Sequence, residues 1–174
     1  MSEKAICILC EKDAERSHIQ GKDGYLVECE ICGKYFLGSP ELFEGAYQIL
    51  PNEKRRMISA HTRELFEKGE NHPEFGDPDE LKTVIDVYEN KTQEKKLNNL
   101  VLFLMKKSSQ FDDLVSWEPE KDFPITYSLS SQQFSELLNE LTKRNFLTKE
   151  SGNSGKLTEN GWNFGKELKK NLKS

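Results

Sequence analysis

This chain of 174 residues is short of the features that mark membrane, secreted and many catalytic proteins. No apolar run approaches the roughly 20 residues that span a bilayer. Hydrophobic residues make up 35% of the chain and charged residues 32%, so any core must be thin. The opening "MSEKAICILCEKD" is charged too early and too often for a secretory signal, which leads us to expect a cytoplasmic protein with no membrane association. There is no Gly-rich phosphate loop, no HExxH, no GxSxG and no Ser/His/Asp set that spacing supports. Adjacent acids such as Asp112 and Asp113 are common on surfaces. The expectation is therefore a non-enzymatic protein.

Net positive charge is also lacking over most of the chain. The formal net charge is −5. Residues 1–124 hold 17 Lys+Arg against 25 Asp+Glu, whereas residues 125–174 hold 8 against 5. The segment 67–94 is the most acidic, with 9 acids and 3 bases. A typical DNA-binding domain is far more basic. An acidic body with a basic end binds nucleic acid only locally, without help from the whole-molecule field.

What the sequence does have is four cysteines in the pattern C-x2-C-x18-C-x2-C: Cys7, Cys10, Cys29 and Cys32. This spacing suits a four-cysteine zinc site. Each CxxC turn offers two thiolates to one ion, and a hairpin brings two such knuckles together into a tetrahedron. "RSHIQ" reads as one strand, "GKDG" (21–24) as the turn, "YLVEC" as the returning strand and "KYFL" as a third. Gly33 suits the second knuckle, and Glu11 stands where a glycine is expected in the first. A redox dithiol would need a βαβ pattern that is missing here. A catalytic zinc would need an open coordination position that four thiolates leave no room for. The reading is a structural zinc ribbon over residues 1–38 that does not fold without its metal. His18 reads as a surface residue of the hairpin.

Residues 39–76 read as a helical segment and linker. Ser39, Pro40 and Glu41 open a helix through Leu42, Phe43, Ala46, Tyr47 and Leu50, which Pro51 ends. Asn52 is the expected cap of a second helix whose stripe is Met57, Ile58, His61, Leu65 and Phe66. Arg55, Arg56 and Arg63 form the one basic cluster of the acidic part, suited to contact with phosphate or an acidic partner, or to a solvated face paired with Glu53 and Glu64. His61 reads as a buried-edge residue without an acid–base partner. "KGENHPEFGDPDE" (68–80), with His72, reads as a linker or long loop.

Residues 77–174 read as a winged helix-turn-helix-like domain. Asp77 and Pro78 begin a helix through Val84, Ile85, Val87 and Tyr88. Thr92 caps another, with Leu97, Leu100, Val101, Leu104 and Met105 as its core face. "ITYSL" (125–129) reads as a short strand, with a loop in place of the short helix that precedes a recognition helix. Ser130 or Ser131 caps a helix that buries Phe134, Leu137, Leu138 and Leu141. "FLTKES", "GNSG" (152–155) and "KLT" form the wing. Thr158 caps the last helix, with Trp162, Gly165, Leu168 and Leu172 turned inward. The wet face of helix 131–144 carries Gln132, Ser135, Glu136, Asn139 and Lys143. Gln and Asn suit adenine edges, and Lys143, Lys149 and Lys156 suit phosphate, while Glu136 and Glu140 oppose it. Winged helices also serve as protein-binding modules, so DNA, RNA and protein all stay open as partners.

The whole α+β arrangement resembles a recurring prokaryotic one. The carrying residues are Cys7, Cys10, Tyr25, Val27, Cys29, Cys32, Gly33, Tyr35 and Leu37, the run "RRMISAHTRE" from Arg55 to Glu64, and "LTENGW" from Leu157 to Trp162. It is similar to the sensor or adaptor halves of bacterial antiphage-defence and genome-conflict proteins, which often carry a TIR-like or nucleoside-deoxyribosyltransferase-like effector downstream. Here the chain stops soon after the wing. The resemblance implies a nucleic-acid-binding sensor or regulator, or an adaptor for a separately encoded effector protein, with zinc as its cofactor.

Overall fold

Residues 2–38 form an antiparallel meander of four strands. β1 (Ser2–Ile6), β2 (Asp13–Ser17), β3 (Gly24–Cys29) and β4 (Gly33–Gly38) lie in sequential order, with Ala5 opposite Ala14, Arg16 opposite Val27, and Val27 opposite Tyr35. β1 is an edge strand with only Ala5 partly covered, so its sequence carries no inward/outward alternation. The computed structural model describes residues 2–38, 50–76, 78–89 and 91–172. The helix expected over 39–50 falls almost wholly outside the described residues.

α1 (Asn52–Lys68) follows. Pro51 occupies its N-cap position without a side-chain cap, and Asn52 is the first helical residue rather than the cap. Gly69, at φ 70°, ends the helix in the left-handed region and donates its N–H to Phe66 O, while the Glu70 N–H returns to Leu65 O. The buried residues of α1 are Ile58, Ser59, Ala60, Thr62 and Arg63. This face is rotated from the apolar stripe expected from the sequence, and Phe66 is 52% exposed. The segment read as a linker contains β5 (Glu74–Phe75), which adds a parallel edge to β4 with Leu37 opposite Phe75.

α2 (Pro78–Glu89) packs on α1. Tyr88 is buried and its hydroxyl contacts both His61 Nδ1 (3.1 Å) and the Glu64 carboxylate. His61 therefore has the partner that the sequence did not reveal. The chain divides into two units, residues 1–90 and 91–174. The sequence division placed helix 78–89 with the C-terminal domain. Its packing on α1 puts it in the first unit.

The second unit is built on α3 (Gln93–Lys107), capped by Thr92 Oγ1 accepting from Lys95 N at 3.2 Å. Its core face is the expected one, with Leu97, Leu100, Val101, Leu104 and Met105 all buried. β6 (Val115–Ser116) comes next. A one-turn helix α4 (Pro119–Asp122) and a 3-10 turn (Phe123–Thr126) then occupy the stretch expected to be loop and strand. Residues 125–129 are not a strand. Pro124 presets the tight turn, Tyr127 takes φ 55°, and the Tyr127 and Ser128 N–H groups bond to Pro124 O and Phe123 O. Asp122 is buried and accepts from Glu118 N at 2.8 Å, which closes the turn.

α5 (Ser131–Lys143) is capped by Ser130 and buries Phe134, Leu137, Leu138 and Leu141. It runs directly into the hairpin of β7 (Leu147–Lys149) and β8 (Ser154–Leu157), and Thr158 caps α6 (Glu159–Asn171). β6 pairs with β8, so the sheet order is β6-β8-β7. α6 packs on α3 through Gly165, where an added Cβ would stand 2.1 Å from Met105 Sδ. The inward face of α6 is Gly161 and Gly165; Trp162 and Leu168 are half-buried and Leu172 is 64% exposed, contrary to expectation.

Candidate metal centre

The β2–β3 pairing brings Cys29, at the end of β3, opposite Ala14, next to the first knuckle. The Cys7 N–H donates to Lys12 O and the Glu11 N–H to Cys7 O, both at 2.8 Å, which folds residues 7–12 into a closed turn. Glu11 takes φ 60° there, doing the work of the missing glycine. In the second knuckle Gly33 takes φ 79°, and an added Cβ would lie 2.7 Å from Phe66 Cβ. Two constraints therefore demand glycine at this position.

The four Sγ atoms lie within 4.8 Å of one another, and all four residues are buried. Cys7 and Cys32 approach to 3.7 Å and Cys10 and Cys29 to 3.5 Å, with no disulfide. A tetrahedral ion with metal–sulfur distances of about 2.3 Å sets sulfurs about 3.8 Å apart. The donor set and spacing fit a metal ion, and all four cysteines expected as ligands converge. Their mutual hydrogen bonds pull the thiols apart in acidity. Bonding from Cys10 holds the Cys29 thiol well below its usual value, while Cys10 is pushed up by its bond to Cys29. Burial above all raises Cys32. So dry a cluster keeps all four thiolates only with a cation to balance them.

Around the sulfurs is a shell that sequence reasoning missed. Tyr35 Oη stands 3.3 Å from Cys7 Sγ, and Ser59 Oγ 3.0 Å from Cys32 Sγ. Thr62 Oγ1 donates to Cys32 O at 2.6 Å. Arg63 donates to Glu30 O at 2.7 Å and Ile31 O at 3.0 Å, and pairs with Glu67 at 2.9 Å. Arg55 pairs with Glu11 of the first knuckle and holds its carboxyl below the usual range. Residues 55, 59, 62, 63 and 66 recur at three- and four-residue steps, so one face of α1 docks on both knuckles. That spacing was the available signal. It was obscured because Ser, Thr and Arg read as solvent-facing residues.

Of the arginine cluster, Arg63 is only 8% exposed and turned onto the second knuckle. It does not belong to a phosphate-binding surface. Arg55 is engaged by Glu11, and Arg56 is half-buried.

In the second unit, Gln132, Asn139 and Lys143 are exposed on α5, with Ser135 half-buried beside them. Gln132 donates to Glu136 at 3.2 Å and Ser135 to Ser131 O at 2.9 Å. Lys149 Nζ donates to Asn139 Oδ1 at 2.6 Å, tying β7 to α5, so Asn139, Lys143 and Lys149 share a locality. Lys156 points to Asp112 at 3.3 Å. Among the described residues, no helix is long and apolar enough to cross a membrane. No family model, curated protein or solved structure matches this chain.

Proposed function

We propose that Cys7, Cys10, Cys29 and Cys32 hold a structural zinc ion and that residues 91–174 form a winged helix-turn-helix that binds nucleic acid. The chain would then be a non-enzymatic sensing or adaptor component, as in the prokaryotic defence proteins it resembles. The zinc would crosslink two knuckles and neutralise thiolates, and four protein ligands leave no position for substrate. The observation that carries the nucleic-acid reading is the arrangement of α5. It runs straight into the β7–β8 hairpin, whose far strand pairs with β6, and it keeps a polar face of Gln132, Asn139 and Lys143 outward. This is the order in which a recognition helix is presented to a groove with a wing beside it. Residues 91–174 hold 14 Lys+Arg against 11 Asp+Glu, while residues 1–90 hold 11 against 19, so the favourable field is local to the second unit.

The test is an anisotropy titration of labelled duplex at low salt. The expected result is binding that weakens as salt rises and is reduced by Lys143→Glu and Lys149→Glu. Absence of binding at low salt to duplex and single strands alike would remove the reading. One observation favours a second role, a scaffold for a separately encoded effector. Glu136 lies on the same exposed face and takes the Gln132 amide, and it opposes phosphate. Co-purification with the product of a neighbouring gene, lost on Glu136→Lys, would support that role.

A further inference from the structure

A different surface of the second unit carries aromatic rings that its core does not use. Phe111, on the loop between α3 and β6, is 47% exposed, and Leu114 on the same loop is 60% exposed. Phe111 packs against the half-buried Trp162 of α6 with ring centroids 6.2 Å apart. Lys166 stands one turn further along α6 with its Nζ 5.9 Å from the Trp162 ring, and Lys169 follows, exposed, on the same face. On the other side of Phe111, Asp112 holds the wing lysine Lys156. Two accessible rings thus lie between lysines, next to the wing.

We infer that Phe111, Trp162, Lys166 and Lys169 form a binding tract for single-stranded nucleic acid. The chemistry is that of a stacking platform in a basic track. A base has an aromatic face that stacks on any ring, and lysines beside the rings neutralise its phosphates. Lys166 exchanges its contact with the Trp162 ring for one with a phosphate as a base stacks. A duplex keeps its bases stacked on one another and cannot use the rings, so the tract selects single strands. The inference rests on the nucleic-acid reading of the second unit but uses other residues than those of α5 and β7.

The two tryptophans provide the test, since Trp117 is 3% exposed and Trp162 is the accessible reporter. Titrating the full chain at low salt with oligo-dT of about 15 nucleotides should quench tryptophan emission saturably. Trp162→Phe should abolish the quenching. Phe111→Ala, at an exposed position that leaves the core intact, should weaken binding about tenfold. Lys166→Glu with Lys169→Glu should flatten its salt dependence. No quenching, equal quenching in Phe111→Ala, or equal quenching by a duplex of the same length would overturn the inference. Lys149→Glu separates the two ideas: loss of duplex binding with quenching retained assigns two surfaces. Duplex binding by the native chain without quenching removes the tract and leaves the winged-helix reading standing.

Discussion

Among the described residues, the largest fully buried side chains of residues 1–90 are Leu9, Tyr35 and Ile58. In residues 91–174 they are Leu97, Leu100, Val101, Leu104, Phe134, Leu138, Leu141 and Leu147. The first unit surrounds its cluster of four sulfurs with the hydroxyls of Tyr35, Ser59 and Thr62 and a guanidinium aimed at backbone carbonyls. The second fills its centre with leucine. Apolar burial is non-directional and stabilises by area removed from water, whereas the polar centre depends on each partner being in place. The comparison teaches that one chain uses both devices and that their vulnerabilities differ.

The largest effect should come from the ligands. Cys32→Ser should abolish stoichiometric zinc binding, read by elemental analysis, and unfold the ribbon, because structural zinc in small peptides is worth on the order of 10–16 kcal/mol. The helical signal of α3, α5 and α6 should persist. Acid acts in the same direction, since each released thiolate must take up a proton, so ribbon stability should fall with falling pH. The converse experiment is Phe134→Ala, at a fully buried position. A loss of about 3–5 kcal/mol is expected for the second unit by denaturant unfolding, with metal content unchanged. A smaller effect is expected at the shell. Ser59→Ala removes the hydroxyl beside Cys32 Sγ and should lower metal affinity about tenfold in a chelator competition, while Ser59→Thr restores it. The smallest is Thr158→Ala, which removes the side-chain acceptor for Gly161 N and should cost the second unit about 1 kcal/mol, measured as a shift in its unfolding midpoint.

Legibility also differed between the units. In the second unit, the caps Thr92, Ser130 and Thr158 made the starts of α3, α5 and α6 readable, and periodic leucines made the buried faces of α3 and α5 readable, because local sequence and burial agree there; on α6 only Gly165 of the expected face is fully buried. The failure at 125–129 came from Pro124 and Tyr127, which bend an apolar run into a 3-10 turn that alternation does not reveal. In the first unit the cysteine spacing disclosed the ligands but not their surroundings. Arg63 looked like surface charge because its partners are the carbonyls of Glu30 and Ile31, more than thirty residues away and without sequence identity of their own. β5 was unreadable for a similar reason. Two residues pair with β4 only because α1 and the following loop return the chain to it.

The most direct test of this contrast is amide hydrogen exchange on the full chain, zinc-loaded and after chelation. The account predicts that residues 13–38 and the docked face of α1 lose protection on chelation while residues 97–105 and 134–141 keep theirs. Protection that is unchanged throughout, or that is lost in both units together, would contradict it.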